Sequence, residues 1–405
     1  MTLQYNKKSL ILDKLKTFFV KYLCVLNIQS KLPHTGTTIF TVMSALANEY
    51  GAINLSQGFP NFPSSTRLTE LVAHYMREGY NQYAPMAGVP VLRMQLAAKI
   101  QQMYQIAVNP EEEITITAGA TQGLFTAIAA FIKSGDEVII IEPAYDSYAP
   151  SIQVMGAKVV PYQLSAPDYR IDWEAFAQLI TSDTRMIIIN TPHNPTGSIL
   201  DKSDLQQLDQ LTRDTEILVL SDEVYEHLVY DGEEHQSVLR FPELRKRSLA
   251  VYSFGKTFHN TGWKIGYCVA PPELMIEFRK VHQFNVFSVN TPVQYALAEF
   301  LTTPEEYLEL SQFFQQKRDF FLSKMQGSSL KPLSCRGTYF HLFDYSAISD
   351  LPEHEFAVWM TKYVGVAAIP VAAFYGQQKS DQIIRLCFAK TEETLEKAAV
   401  LLQKL

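Results

Sequence analysis

The sequence predicts an α/β fold: a mostly parallel central sheet sandwiched by helices, with a smaller α+β domain after it. Three observations predict it. From about Glu111 onward, short β-branched or apolar runs alternate with stretches of helical period. Several runs are apolar at consecutive positions, as strands buried on both faces must be. Polar residues also gather where the runs end, the edge at which open parallel sheets bind ligands.

Taken in order, "EITITAG" is a short strand, and "ATQGLFTAIAAFIKSG" a helix closed by glycine. "DEVIIIEP", "GAKVVPYQL", "TRMIIINTP", "EILVLSDEV" and "SLAVYSFGK" follow as strands, each ending in polar or turn residues. "DWEAFAQLI" and "DKSDLQQLDQLTRD" are helices between them. After Pro271 the chain reads as helical to about Arg318, and "GTYFHLFDYS", "HEFAVWMTKYVGVAAIP" and "QIIRLCFAK" form the smaller unit. The resulting division is an N-terminal extension of unassigned role (1–30), an arm packing on the small domain (31–70), a large domain (71–310) and a small C-terminal domain (311–405).

The chain has 405 residues, 47% hydrophobic and 19% charged, the balance of a soluble protein with a substantial core. A formal net charge of −7 argues against nucleic acid or an anionic membrane as partner. The compact basic run Arg245-Lys246-Arg247 reads as a solvated helix end or turn. Four cysteines, Cys24, Cys268, Cys335 and Cys387, lie far apart without a CxxC pair. They imply no metal site and fit a reducing cytoplasm. No apolar run reaches the ~20 residues of a membrane helix. The basic and apolar N-terminus lacks the uninterrupted core of a signal peptide, because Lys14, Lys16 and Lys21 break it. Residues 1–30 read instead as an appended amphipathic helix or a translation-start artefact.

Chemistry concentrates at the strand ends. "VYSFGKTFHNTGWKIGY" holds two lysines, Lys256 and Lys264. Its "GKT" is not a P-loop, since the glycine required five residues before the Gly-Lys pair is Ala250. "TAGATQG" offers free N–H groups and a positive helix end, suited to an anion, or else an ordinary tight turn. Ser253 and Lys264 would complete a phosphate cup. Asp222 ends a strand, where a carboxylate caps a helix, forms a turn, or serves a site. The amine of Lys256, on the neighbouring strand end, favours the site. In pyridoxal phosphate chemistry a lysine forms a Schiff base with the aldehyde, and an aspartate keeps the pyridine nitrogen protonated. Asn194 and Tyr225 could then bond the ring's 3-oxygen, and Tyr145 could stack on its face. The bland alternatives are a turn at "HNPTG" and tyrosines spent on core packing.

The ordered motifs "NLSQGFPNF", "NQYAPMAGVPVLR", "TAGATQG", "EPAYDSY", "NTPHNPTG", "SDEVYEHLVY", "SFGKTFHNTGWKIGY" and "IRLCFAK" resemble those of class I/II, fold-type I pyridoxal-phosphate aminotransferases. The likeness runs from about Ser30 to the C-terminus. It points to the branch that contains methionine aminotransferase, kynurenine aminotransferase and glutamine transaminase K. The resemblance implies that Lys256 binds pyridoxal 5′-phosphate covalently and then moves the proton. It implies that Asp222 pairs with the ring nitrogen and that Asn194 and Tyr225 contact the 3-oxygen. Tyr145 resembles the ring-stacking residue, where many relatives carry Phe. Ala120, Thr121, Ser253 and Lys264 hold the phosphate, with Lys264 standing where relatives often place Arg. Arg385 resembles the clamp for the substrate α-carboxylate, helped by Gly58 and Asn194; without the resemblance it would read as a strand-edge surface charge. Tyr83, on the cofactor side, and Phe287, on the substrate side, resemble residues that reach into a partner subunit's site, which implies a homodimer. Ser288 stands where some kynurenine-type relatives have His after this Phe.

The implied reaction is a ping-pong transfer of an amino group from methionine or an aromatic amino acid to a 2-oxo acid. Phe40, Phe59, Tyr83 and Phe287 would line the side-chain pocket, and no second arginine is evident for an ω-carboxylate. The alternatives are kynurenine or glutamine transamination, carbon–sulfur β-elimination from cysteine conjugates, and a non-catalytic regulatory domain of the same fold.

Overall fold

The computed structural model describes residues 29–377 and 379–405. Of the expected N-terminal extension, residues 1–28 lie outside the described residues. Every element below belongs to the compact unit Gly36–Leu405.

A two-residue strand, β1 (Ile53–Asn54), precedes the large sheet. That sheet comprises β2 (Ile114–Thr117), β3 (Glu137–Glu142), β4 (Lys158–Gln163), β5 (Thr184–Asn190), β6 (Leu218–Asp222), β7 (Ser248–Ser253) and β8 (Gly266–Val269), in the spatial order β2-β8-β7-β6-β5-β3-β4. From β7 to β4 all neighbours are parallel, whereas β8 runs antiparallel to both β2 and β7. The mostly parallel α/β sheet expected from the sequence is therefore present. β8, directly behind the lysine-bearing turn, was not among the expected strands.

The consecutive apolar runs reflect burial of both faces. In β3, Val138 and Ile140 join one hydrophobic cluster while Ile139 and Ile141 join the other. β5 divides likewise, with Met186 and Ile188 on one side and Ile187 and Ile189 on the opposite side. β4, at the sheet edge, is only partly buried.

The later chain forms a second, antiparallel sheet from β9 (Lys331–Pro332), β10 (Phe340–Asp344), β12 (Ile369–Pro370) and β13 (Ile383–Cys387), in the order β12-β13-β10-β9. Between β10 and β12, β11 (Val366–Ala367) pairs in parallel with β1, so Ile53 lies opposite Val366. The helix Ile39–Tyr50 packs beside β1, β11 and β12. It starts at Thr38, whose hydroxyl accepts the Thr41 N–H, and ends at Gly51 in the left-handed region. These pairings bring the segment after Asn54 across the strand ends of the large sheet.

Candidate active site

β5 and β6 end side by side, with Asn190 opposite Asp222. Asn190 Nδ2 donates to the Asp222 carbonyl at 2.8 Å, and Asn190 Oδ1 accepts the Asn194 N–H at 2.8 Å. One side chain thus ties the "HNPTG" loop to the end of β6. The Asp222 carboxylate is buried and accepts from the Tyr148 hydroxyl at 2.6 Å and from the Val224 N–H at 3.3 Å. Burial pushes it up to about 6, against the opposing pull of those two donors and of the Lys256 charge. A cation beside it would hold it ionised.

The two carboxylates that follow face away from the cavity. Glu223 accepts from the hydroxyls of Ser221 and Tyr252 and from the Val238 N–H. Glu226 accepts from Lys99 Nζ at 2.5 Å and the Tyr104 hydroxyl at 2.6 Å. Both ends of the segment bearing Asp222 and Tyr225 are pinned in this way.

At the next junction, Gly119 turns β2 into the helix Ala120–Phe131 with φ +81° and no side-chain cap. The first N–H groups of that helix are left for a ligand. A Cβ on Gly119 would sit 3.3 Å from Lys264 Cε and 3.4 Å from its Nζ, so the lysine lies directly over the turn. Ser253, the last residue of β7, accepts the Lys256 N–H at 3.3 Å. Ala120, Thr121, Ser253 and Lys264 line one end of the cavity. This donor set, with no acidic side chain among it, fits a phosphate.

Lys256 lies on the short turn Phe254–Thr257. Its Nζ donates to Tyr339 Oη at 3.0 Å and to the Gly58 carbonyl at 3.2 Å. Burial lowers it to about 8. Gly58 must be glycine on packing grounds, since a Cβ there would come within 2.7 Å of the Phe340 ring.

Arg385 sits in the middle of β13, between Leu342 and Ile369, and is fully buried. Its guanidinium stacks 3.8 Å from the Phe340 ring centroid, with Phe40 and Phe374 at 5.3 and 5.2 Å. Nη1 donates to Asn194 Oδ1 at 2.7 Å and Nη2 to the Ser56 carbonyl at 3.0 Å, while Nε has no partner. Among the described residues no carboxylate forms an ion pair with it. Burial lowers it to about 10. A buried cation held only by neutral acceptors is costly by itself and is suited to an anionic ligand.

The structure brings nearly all the sequence-predicted residues together. Lys256, Asp222, Tyr225, Asn194, Tyr145, Ala120, Thr121, Ser253, Lys264, Gly58, Arg385 and Phe40 line one cavity, with Phe59 at its mouth. Tyr83 and Phe287 stand apart from it. They are exposed at 83% and 47%, and their rings meet edge to face at 5.3 Å. The strand-edge alternative for Arg385 is corrected, because β10 and β12 flank it on both sides. Sequence reasoning missed Asn190, Tyr148, Tyr339 and Phe340. Tyr148 closes the "EPAYDSY" motif, and Tyr339 and Phe340 lie in "GTYF", so all three were in view but without a distinguishing pattern.

Comparison with known proteins gives the following matches. The family model described as aminotransferase class I and II matches residues 50–402. The chain is 51% identical to a methionine aminotransferase of Escherichia coli (strain K12), covering 93% of this chain and 98% of the relative. It is 34% identical to kynurenine–oxoglutarate transaminase 1 of Homo sapiens, over 87% of this chain and 92% of that one. An Escherichia coli crystal structure described as having methionine aminotransferase function superposes with a TM-score of 0.92 at 51% identity, covering 94% of this chain and all of that chain.

Proposed function

The chain belongs to the class I and II aminotransferases, and we propose that it moves the amino group of methionine or of aromatic amino acids onto a 2-oxo acid by a ping-pong mechanism. The single observation that carries the site assignment is the arrangement of Lys256, Asp222 and Arg385 around one cavity, with burial lowering Lys256 toward the neutral amine that attacks an aldehyde.

The enzyme depends on pyridoxal 5′-phosphate, and the cavity fits it: a donor cradle at one end, a buried carboxylate, and an amine between them. When bound, this cofactor supplies an aldehyde for the amino nitrogen and a ring that accepts the electrons of the broken Cα–H bond. Ala120, Thr121, Ser253 and Lys264 hold the phosphate. Asp222, oriented by Tyr148 and Val224, would pair as a carboxylate with the ring nitrogen. Asn194 and Tyr225 would bond the 3-oxygen, and Tyr145 would cover a face of the ring. Lys256 would be the covalent anchor for the aldehyde, and its free amine would take the proton from the substrate Cα. Arg385 offers its guanidinium to the α-carboxylate beside the Gly58 segment. Fixing that carboxylate would orient the substrate Cα–H bond toward the Lys256 amine, which favours proton transfer.

The side-chain preference follows from the walls. Among the described residues the cations lining the cavity are Lys256, Lys264 and Arg385, each already assigned, so none of these is left for an ω-carboxylate. Phe40, Phe59 and Phe340 offer apolar surface instead, suited to thioether and aromatic chains. Tyr83 and Phe287 form an exposed aromatic pair suited to a second subunit, and we place the enzyme as a homodimer with shared sites. Buried, unpaired Cys268, Cys335 and Cys387 fit a cytoplasmic setting. Among the described residues no helix is long and apolar enough to cross a membrane.

A donor-by-acceptor panel tests the substrate reading. Methionine, phenylalanine and tyrosine should outrun aspartate with a 2-oxo acid acceptor. Preference for aspartate would contradict it, and acceptor-independent pyruvate release from cysteine conjugates would point to elimination.

Covalent cofactor uptake should depend on pH through Lys256. The ammonium has no lone pair to attack an aldehyde, and the group loses its proton near pH 8. The covalent rate constant in cofactor-free protein should therefore rise with pH and level off above about 8. A rate constant flat from about pH 6 to about pH 9 would contradict the lowered value.

A further inference from the structure

Four consecutive carbonyls, from Ser56 to Phe59, each accept a donor from a distant part of the chain. Ser56 O takes Arg385 Nη2 at 3.0 Å, and Lys390 Nζ bridges Gln57 O and Phe59 O at 3.4 and 2.7 Å. Gly58 O takes two donors, Lys256 Nζ at 3.2 Å and the Tyr339 hydroxyl at 2.6 Å. Tyr339 gives its only hydroxyl proton to that carbonyl. Toward Lys256 Nζ, 3.0 Å away, it can therefore only accept. Its ring is fully buried and packed edge to face on Tyr225 at 5.2 Å and on Phe340 at 4.8 Å, so the hydroxyl has one position.

A neutral amine has two N–H donors and one lone pair. At Lys256 the two donors meet two acceptors, Tyr339 Oη and Gly58 O, which leaves the lone pair unengaged. We propose that Tyr339 is a catalytic residue that, together with the Gly58 carbonyl, seats the released Lys256 amine with its lone pair free for the substrate Cα proton. The proposal rests on the reading of Lys256 as the proton-carrying amine. The proton balance closes. The amine takes the Cα proton and becomes an ammonium with three N–H groups. Two stay on Tyr339 and Gly58, and the third passes to the accepting carbon of the cofactor, which restores the amine. Tyr339 keeps its own proton throughout.

The groups facing the Lys256 amine are Asp222, Arg385, Lys264, Cys387, Tyr225 and Tyr339. Removing the Tyr339 oxygen takes an acceptor from the ammonium more than from the amine, so the Lys256 titration should move to lower pH.

Tyr339→Phe in the holoenzyme tests this, because the ring stays and only the hydroxyl is lost. With a donor deuterated at Cα, the single-turnover rate should fall roughly 10- to 100-fold and the isotope effect should rise. Cofactor content and donor KM should stay within about twofold, since neither contact is removed. In cofactor-free protein, the pH midpoint of covalent cofactor uptake should shift downward. A single-turnover rate within about twofold of wild type, with that midpoint unmoved, overturns the proposal. Should Tyr339→Phe fail to fold, 3-fluorotyrosine at the same position keeps the shape and weakens the oxygen as an acceptor. The midpoint should then still move down, and an unmoved midpoint overturns the proposal equally. Lys256→Ala separates the two readings. An active Lys256→Ala variant defeats the role given to Lys256, whereas an inactive one beside a wild-type-like Tyr339→Phe defeats only the role given to Tyr339.

Discussion

Replacing Lys256 with alanine should lower turnover by roughly four orders of magnitude or more, while the protein still holds its cofactor. The expectation rests on the absence of a substitute. Lys264, the other lysine lining the cavity, lies over the Gly119 turn at the phosphate end. Asp222 is committed to Tyr148 and Val224. Among the described residues no other amine lines the cavity, so both the covalent attachment and the Cα proton transfer should be lost together. Retention follows from the same geography. Ala120, Thr121, Ser253, Lys264 and Asp222 are untouched by the change, and on the proposed reading they would hold the phosphate and ring without a covalent bond. Steady-state turnover with the best donor, measured beside cofactor content after denaturation, checks both halves. Turnover within about tenfold of wild type would place the chemistry elsewhere.

Replacing Arg385 with alanine should weaken amino-acid binding by about 2–5 kcal/mol, roughly 30- to several-thousand-fold in the donor concentration required. Arg385 is fully buried, its hydrogen-bond partners are a neutral amide and a carbonyl, and its Nε is unpaired. A structural arginine at such depth would have a carboxylate against it. Arg385→Met, which refills the space between Phe40, Phe340 and Phe374, separates lost packing from lost charge. It should weaken donor binding as much as alanine while retaining more thermal stability. Arg385→Lys should recover only part of the loss, because a point charge replaces neither the bidentate fork nor the stack on Phe340. An unchanged KM for every donor would rule out the carboxylate clamp.

The legible parts of this molecule were those set by local sequence. β3, β5 and β6 announced themselves because strands buried on both faces need apolar residues at every position. The strand-end residues were legible for a related reason. Asp222 and Ser253 follow their strands directly, and a parallel sheet delivers such ends to one edge. What stayed hidden depends on pairing between distant segments. Tyr148 meets Asp222 across 74 residues, and Tyr339 meets Lys256 across 83. No periodicity marks either tyrosine as different from the packing tyrosines around it. The burial of Arg385 was equally unreadable, since it arises only when β10 and β12 close on both sides of β13 and Phe40 arrives from the far end of the chain. β8 escaped because Gly-Tyr-Cys-Val holds one β-branched residue, whereas all four residues of the equally short β2 are β-branched.

The central claim is that Lys256 is the covalent attachment point in a site completed by Asp222 and Arg385. Borohydride reduction of the holoenzyme, followed by proteolysis and mass mapping, tests it most directly. The account predicts the cofactor fixed on the peptide that holds Lys256, and only there, with Lys264 unmodified. Fixation on Lys264 or another lysine, or a protein that takes up no cofactor to be fixed, would contradict it.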